Sequence, residues 1–351
     1  MLGLLLLALQ APSTELLQPI DDLRIGGRLM SDFHFGSGDD SGEIRRARIR
    51  ITGQLAPNVS FMNEYEFASD KDLKEMSVRF QDGSHRFRVG YFRQPFGLEN
   101  STSSRFHSFM EESPMSRSLG TVRAAGLAWR RVERGSAIQM GLYRSLMSET
   151  GRSQDREWSL NSRAIWRPVV SLEHEELFHV GASINLAFPD DLVEIGGRPG
   201  IRLAPEIVSS GLLDASQLLR IAGEMAWLQG AWHGSAEWMY LGAELESSGH
   251  ENFNGWALAS GYFLTGESRG YNLNRAVFSR TNATNAWELT ARITDLDLNV
   301  RGQTGEQMLS TSVGLNHYVN PNTRIVLNWT RSDVPGQEAL EFISIRFAVD
   351  W

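Results

Sequence analysis

The 351-residue chain contains no cysteine, which excludes disulfide bridges, thiolate metal sites and thiol nucleophiles. Nowhere does it approach the roughly 20 consecutive apolar residues that a membrane-spanning helix needs, and its mean hydropathy is -0.28. That absence excludes helical spans alone, because a β-barrel alternates its lipid-facing residues with polar ones and keeps its overall hydropathy low. Lysine is nearly missing: of 34 basic residues only Lys71 and Lys74 are lysines. No GxSxG, HExxH or P-loop pattern is present, and the eight histidines are scattered singly. A net charge of -8 speaks against a nucleic-acid binder. Any region that attracts anions must therefore be local.

What remains is arginine and alternation. Arginine suits planar recognition of phosphate and carboxylate and keeps its charge, although a GC-rich genome alone would also enrich it. In "EIRRARIRITG" (43–53) a strand sends Arg46, Arg48 and Arg50 to one face and Ala47, Ile49 and Ile51 to the other. Same-face neighbours sit ~7 Å apart, where two like charges repel by about 0.6 kcal/mol in bulk water and about 2.4 kcal/mol at an effective dielectric near 20. Such a row needs water, carboxylates or a bound anion.

The same period-2 pattern recurs from residue 23 to the end. "VSFMNEYEF" separates Val59, Phe61, Tyr65 and Phe67 from Ser60, Met62, Glu64 and Glu66, and "HRFRVGYF" sets Phe87, Val89 and Tyr91 against Arg86 and Arg88. About sixteen half-buried strands follow, at 23–35, 43–54, 58–68, 73–81, 85–92, 123–131, 136–144, 156–166, 178–187, 219–228, 231–241, 253–264, 285–294, 309–319, 323–331 and 341–350. Tight turns such as "DGS" (82–84), "QG" (229–230) and "NPN" (320–322) alternate with long connections at 93–122, 145–155, 188–218 and 332–340. Short turns at one end and long loops at the other are the layout of an outer-membrane barrel. One connection, 265–284, is long where parity asks for a short turn. Aromatic residues gather near strand ends, among them Trp158, Trp166, Trp238, Trp256, Trp287 and Trp329, as interfacial girdles require. The expected fold is all-β, a 16-stranded antiparallel transmembrane β-barrel over 19–351. Residues 1–18, with the apolar run Leu2 to Leu9, are expected to be a residual secretory signal rather than a buried helix.

The segment "RVGYFRQPFGLENSTSSRFHSFMEES" (88–113) resembles the phosphate-selective porin O and P family. So do "RRARIRITG" (45–53), "YFLTGESRGYN" (262–272), "AWELTARITDLDL" (286–298) and "VGLNHYVNPNTRIVLNW" (313–329), while the terminal "FISIRFAVDW" resembles the C-terminal signal by which outer-membrane proteins are recognised for insertion. The resemblance runs in consistent order from residue 23 to 351. It implies an outer-membrane barrel, usually a homotrimer in outer-membrane lipid, that passes phosphate or other small anions, with no cofactor. It also implies that the loop after the fifth strand, 93–122, folds inward and narrows the lumen, carrying Arg93, Arg105 and Arg117 with Arg123 at the start of the next strand.

The expected anion path comprises Arg46, Arg48, Arg50, Arg86, Arg88, Arg93, Arg105, Arg117 and Arg123, with Arg79 and Arg163 also on the wet face. Glu64 and Glu66 are the expected counter-charges, and by pairing with the Arg46–Arg50 row they could simply stiffen the wall. The inward segment departs from the family pattern: it has no lysine, and it carries Glu99, Glu111 and Glu112. A general diffusion pore or structural barrel with little anion preference therefore stands beside the anion porin. A soluble all-β domain is the remoter alternative. No metal site is expected; "EHEEL" (173–177) reads as a solvated turn, and "GSGDDSGE" (36–43) offers acidic residues to a divalent cation without calcium-loop spacing.

Overall fold

A computed structural model describes residues 20–38, 40–68, 72–145, 157–171, 173, 175–247, 249–300 and 306–351; the expected signal segment lies outside them. The strands are β1 (Asp21–Gly36), β2 (Ser41–Ala56), β3 (Val59–Glu66), β4 (Asp72–Asp82), β5 (His85–Arg93), β6 (Arg123–Val132), β7 (Ser136–Arg144), β8 (Glu157–Ser171), β9 (Glu176–Pro189), β10 (Val193–Gly197), β11 (Val208–Leu213), β12 (Ala215–Gln229), β13 (Trp232–Leu245), β14 (His250–Phe263), β15 (Gly270–Asn272), β16 (Val277–Ser279), β17 (Ala286–Asp297), β18 (Gln307–Asn320), β19 (Thr323–Asp333) and β20 (Leu340–Asp350). Sixteen of them close into one antiparallel barrel, and β10–β11 and β15–β16 form separate two-stranded hairpins. Two short helices, α1 (Leu98–Ser101) and α2 (Pro114–Leu119), lie between β5 and β6. All sixteen expected strands are present, lengthened by a few residues at several ends.

Closure joins β1 to β20, from Arg28 opposite Asp350 to Gly36 opposite Phe342. The terminal residue extends the seam: Gly27 N donates to Trp351 O at 3.0 Å and Trp351 N to Gly27 O at 3.1 Å. Gly26 and Gly27 are glycine because that residue leaves no room. A Cβ on Gly26 would stand 2.7 Å from Trp351 O, and one on Gly27 would overlap the indole ring.

The burial pattern is the reverse of a water-soluble core. Large apolar side chains such as Ile25, Leu160, Val89 and Trp166 are exposed, whereas Arg163, Arg220, Glu224, Glu288 and Arg346 are buried. Each strand thus turns its apolar face outward and its polar face inward, as a barrel in lipid does. None of the ten tryptophans is buried. Trp129, Trp166, Trp227, Trp232, Trp287 and Trp351 lie toward the turn end of their strands, Trp158 and Trp329 toward the loop end, and Trp238 and Trp256 at mid-strand.

Among the described residues the two largest apolar clusters lie inside the barrel, where connections fold back into it. Phe96, Met115 and Leu119 of the β5–β6 connection pack with Val193, Ile195 and Val208 of the β10–β11 hairpin and with Met239, Leu241 and Phe253 of the wall. The β14–β17 connection explains the break in parity. It enters the lumen from the turn end as the β15–β16 hairpin and buries Tyr271, Val277 and Phe278 against Leu98, Ile165 and Leu228.

Candidate functional site

The inward connection 94–122 is fastened to the wall through its own backbone. Leu98 N and Glu99 N donate to the Glu237 carboxylate at 2.7 and 3.0 Å, and Met110 N donates to Asn328 Oδ1 at 3.1 Å. Arg324 and Asn316 donate to the carbonyls of His107 and Ser108 at 2.6 and 2.8 Å. Arg45 grips Glu111 with two bonds of 2.7 Å, and Arg346 reaches the same carboxylate at 2.8 Å. Burial alone would raise the Glu111 carboxyl, but Arg45 and then Arg346 overcome it and hold it well below the usual carboxylate range. The β15–β16 hairpin is fixed likewise. Arg163 donates to Ala276 O at 2.9 Å and Arg167 to Leu273 O at 3.0 Å, and Arg269 meets the first loop at Phe106 O. Apart from Arg45 on β2, these fasteners stand on β8–β20, and open space remains against β2–β7.

Two cavities that share part of their lining occupy that space. The loop-end chamber, about 380 Å³, is bounded by Arg46, Arg48, Arg50, Arg117, Arg123 and Arg198 among others, with the carboxylates of Glu64, Glu75, Glu111, Glu112 and Glu206 interleaved. The turn-end chamber, about 530 Å³, has six arginines on its lining, at 79, 86, 88, 93, 130 and 275, and no acidic residue among the described residues. Arg88, Arg93, Arg130 and Arg275 border both chambers.

Carboxylates hold most loop-end arginines in place. Glu64 accepts from Arg28 at 3.1 Å, Arg48 at 2.8 Å and Arg50 at 2.6 Å, and Glu66 accepts from Arg48 at 2.6 Å with Arg46 3.6 Å away. The two glutamates are buried, so they fix the arginine row whatever else the row does. Arg93 meets Glu112 at 3.0 Å, and Arg117 stands 3.9 Å from Glu111. Glu75 takes Arg79 at 2.7 Å and also Arg88, whose guanidinium lies 4.1 Å over the Phe92 ring. Arg86 makes no hydrogen bond or ion pair among the described residues, and its Nε is buried without a partner.

One expected path residue sits elsewhere. Arg105 borders neither chamber; it lines a small pocket beside β1 and β18–β20, 3.9 Å from Glu64 and 3.6 Å from Asp350. Burial, then the neighbouring Arg50 charge, lowers it to about 10. Its loop is pulled against the β1 wall, which turns the side chain away from the channel.

Alternation alone could not find several other lining residues. Arg45 belongs by parity on the lipid face, yet the register with β1 shifts between Met30–Arg46 and Ser31–Ile44, a bulge that turns both Arg45 and Arg46 inward. The doubled arginine at 45–46 was the available sign. Arg198, Arg202 and Arg275 stand on connections, which carry no periodicity. Lys74, one of the two lysines, also lines the loop-end chamber.

Among the described residues one trio approaches metal-ligand spacing. Asp32, His34 and Glu43 have candidate ligand atoms within 4.8 Å of one another. Arg346 already binds both Asp32 oxygens at 2.7 and 2.6 Å and Arg202 binds Glu43 at 2.7 Å. Their negative charge is met by guanidinium, and Glu43 of the acidic 36–43 stretch is accounted for in the same way.

Residues 23–347 match the family model for phosphate-selective porin O and P. The chain belongs to that family. This porin is 25% identical over 320 residues to an uncharacterized protein of Caulobacter vibrioides, covering 85% of this chain and 64% of the relative's length. Its fold is that of solved outer-membrane proteins. The structure of OmpT of Vibrio cholerae aligns with TM-score 0.66 at 10% identity, over 96% of this chain and 99% of that one. An anion-selective porin from Comamonas acidovorans aligns with TM-score 0.60 at 10% identity, over 94% and 99%. The porin is therefore an outer-membrane protein, with short turns on the periplasmic side as such barrels have them.

Proposed function

We propose that this porin gives passive diffusion to small anions, phosphate among those that would fit, along an arginine-lined path, and that it works as a homotrimer. One observation supports the reading: arginines border both cavities inside the barrel, among them Arg46, Arg123 and Arg198 in the loop-end cavity, Arg86 in the turn-end cavity, and Arg88 and Arg130 in both. Closely spaced fixed charges lower the barrier to anion entry, and their number keeps any one site from trapping the ion. The structurally similar Comamonas acidovorans porin is anion-selective, and a trimer form of the Vibrio cholerae OmpT is among the similar structures. A second reading, weak anion preference, draws on the five carboxylates of the loop-end chamber.

Efflux from proteoliposomes separates the two. An organic acid and an amine of equal size should leave at unequal rates, the acid several-fold faster. Equal rates would leave a general diffusion pore.

A further inference from the structure

The bulge at Arg45–Arg46 has a second effect. It also turns Glu43 inward, directly opposite Asp32 of β1. His34 stands two residues further on the same face of β1, because side chains alternate with period 2. On the other side of β1 the register sets Arg346 opposite Asp32 and Ser344 opposite His34. Asp32 and His34 are buried, and the Glu43 side chain is 11% exposed. Guanidinium meets the charge of this trio but leaves coordinating atoms unused. Arg346 gives one hydrogen bond to each Asp32 oxygen, and Arg202 takes only Oε2 of Glu43. Glu43 Oε1 and His34 Nε2 are buried without a hydrogen-bond partner, yet candidate ligand atoms of the three residues lie within 4.8 Å of one another. Ser344 Oγ lies 2.8 Å from His34 Nδ1. With Nδ1–H donating to that hydroxyl, Nε2 presents its lone pair to the two carboxylates, as a metal-binding histidine does. Buried polar atoms ordinarily find partners, and an ion is one way in which they do.

We propose that Asp32, His34 and Glu43 form a binding site for one divalent transition-metal ion of the zinc class near the outer mouth of the barrel. The site is independent of which solute permeates. Imidazole suits zinc, copper and nickel, whereas magnesium and calcium take oxygen ligands in larger number. One nitrogen and two oxygens leave the fourth tetrahedral position to water. Ligand atoms around zinc stand roughly 3.3 Å apart, so the trio closes by less than about 1.5 Å on binding. The charges that face the trio are Glu111, Arg45, Arg202 and Arg346, and the three carboxylates already balance the three guanidiniums. The metal therefore enters by exchange, and Arg202 is the cation that leaves. It stands on the connection between β10 and β11, borders the loop-end chamber and holds Glu43 through one bond. Arg45 and Arg346 are buried and hold their carboxylates through two bonds each. Arg346 then remains on Asp32 and orients it toward the metal.

The test is isothermal titration calorimetry of the purified, untagged, chelator-treated porin in detergent at pH 7, with zinc chloride or magnesium chloride as titrant. One zinc per chain is expected, with no binding heat from magnesium at the same concentrations. His34→Gln keeps a hydrogen-bonding side chain beside Ser344 and should fold, as heat-modifiable gel mobility will report; it is expected to weaken zinc binding roughly tenfold or more. Glu43→Gln, at the more exposed corner of the trio, should weaken it likewise and supplies the reading if His34→Gln does not fold. Arg202→Gln removes the competing cation and should tighten zinc binding by up to about fivefold, the worth of one partly exposed ion pair. A merely structural role for the trio would not produce that gain. Absence of zinc binding to the unaltered porin overturns the proposal, as does magnesium binding of equal strength. Zinc binding left unchanged by His34→Gln or by Glu43→Gln overturns it too, since the ion would then sit on other histidines.

Discussion

Replacing Glu64 with glutamine should make the porin less stable and more anion-selective at once. Glu64 is 5% exposed and accepts from three arginines, Arg28, Arg48 and Arg50. Removing one partner of a buried pair leaves uncompensated buried charge and costs about 3 kcal/mol or more. Arg48 retains Glu66 at 2.6 Å, while among the described residues Arg28 and Arg50 have no other carboxylate in ion-pair range. The same change deletes one negative charge beside the path. For a monovalent anion passing ~5 Å away, that is worth about 0.8 kcal/mol even at the dielectric of water, close to a fourfold rise in anion permeability, with a matching fall for a cation. Two assays read the two effects, thermal unfolding in detergent and reversal potential in a salt gradient. A lower melting temperature with an unchanged permeability ratio would refute the idea that Glu64 faces the permeation path. An unchanged melting temperature would refute its place as the anchor of the arginine row.

Other consequences are as direct. The Glu111 carboxyl is held below its ordinary value, so its contribution to docking the inward loop is complete above the ordinary carboxylate pKa near 4.3 and fades only as pH falls through the lower, folded value. Single-channel conductance should therefore be steady from pH 7 to 4; a jump between pH 5 and 4 would contradict this. Gly27→Val would place a side chain where the Trp351 indole lies, and loss of heat-modifiable barrel mobility on gels is the expected result. Replacing the β15–β16 hairpin with a short turn removes Tyr271, Val277 and Phe278 from the lumen and should raise conductance; an unchanged value would mean that the hairpin does not narrow the path.

The barrel was legible because its cause is local. Alternation in "HRFRVGYF" or "VSFMNEYEF" reports directly which side chains meet water, and all sixteen strands could be read from it. The site was legible only where it lies on strands. Arg46, Arg48, Arg50, Arg86 and Arg88 stand on the inner face that parity assigns them, and the contacts of Glu64 and Glu66 with the first three follow from cross-strand register. Arg45 escaped because a bulge adds one residue and flips parity. Arg105 was misplaced because the course of the inward loop is set by distant fasteners such as Glu237, Arg324 and Arg346, and no residue within 93–122 announces them. The long 265–284 connection was visible as a break in the pattern, but its inward fold depends on Arg163 and Arg167, more than a hundred residues earlier.

Reversal potential of the unaltered porin in a tenfold potassium chloride gradient tests anion passage most directly. An arginine-lined path gives a potential whose sign reports chloride as the favoured ion, with anion permeability several times that of potassium. A potential near zero, or of the opposite sign, would contradict it and leave the arginines as struts of the wall.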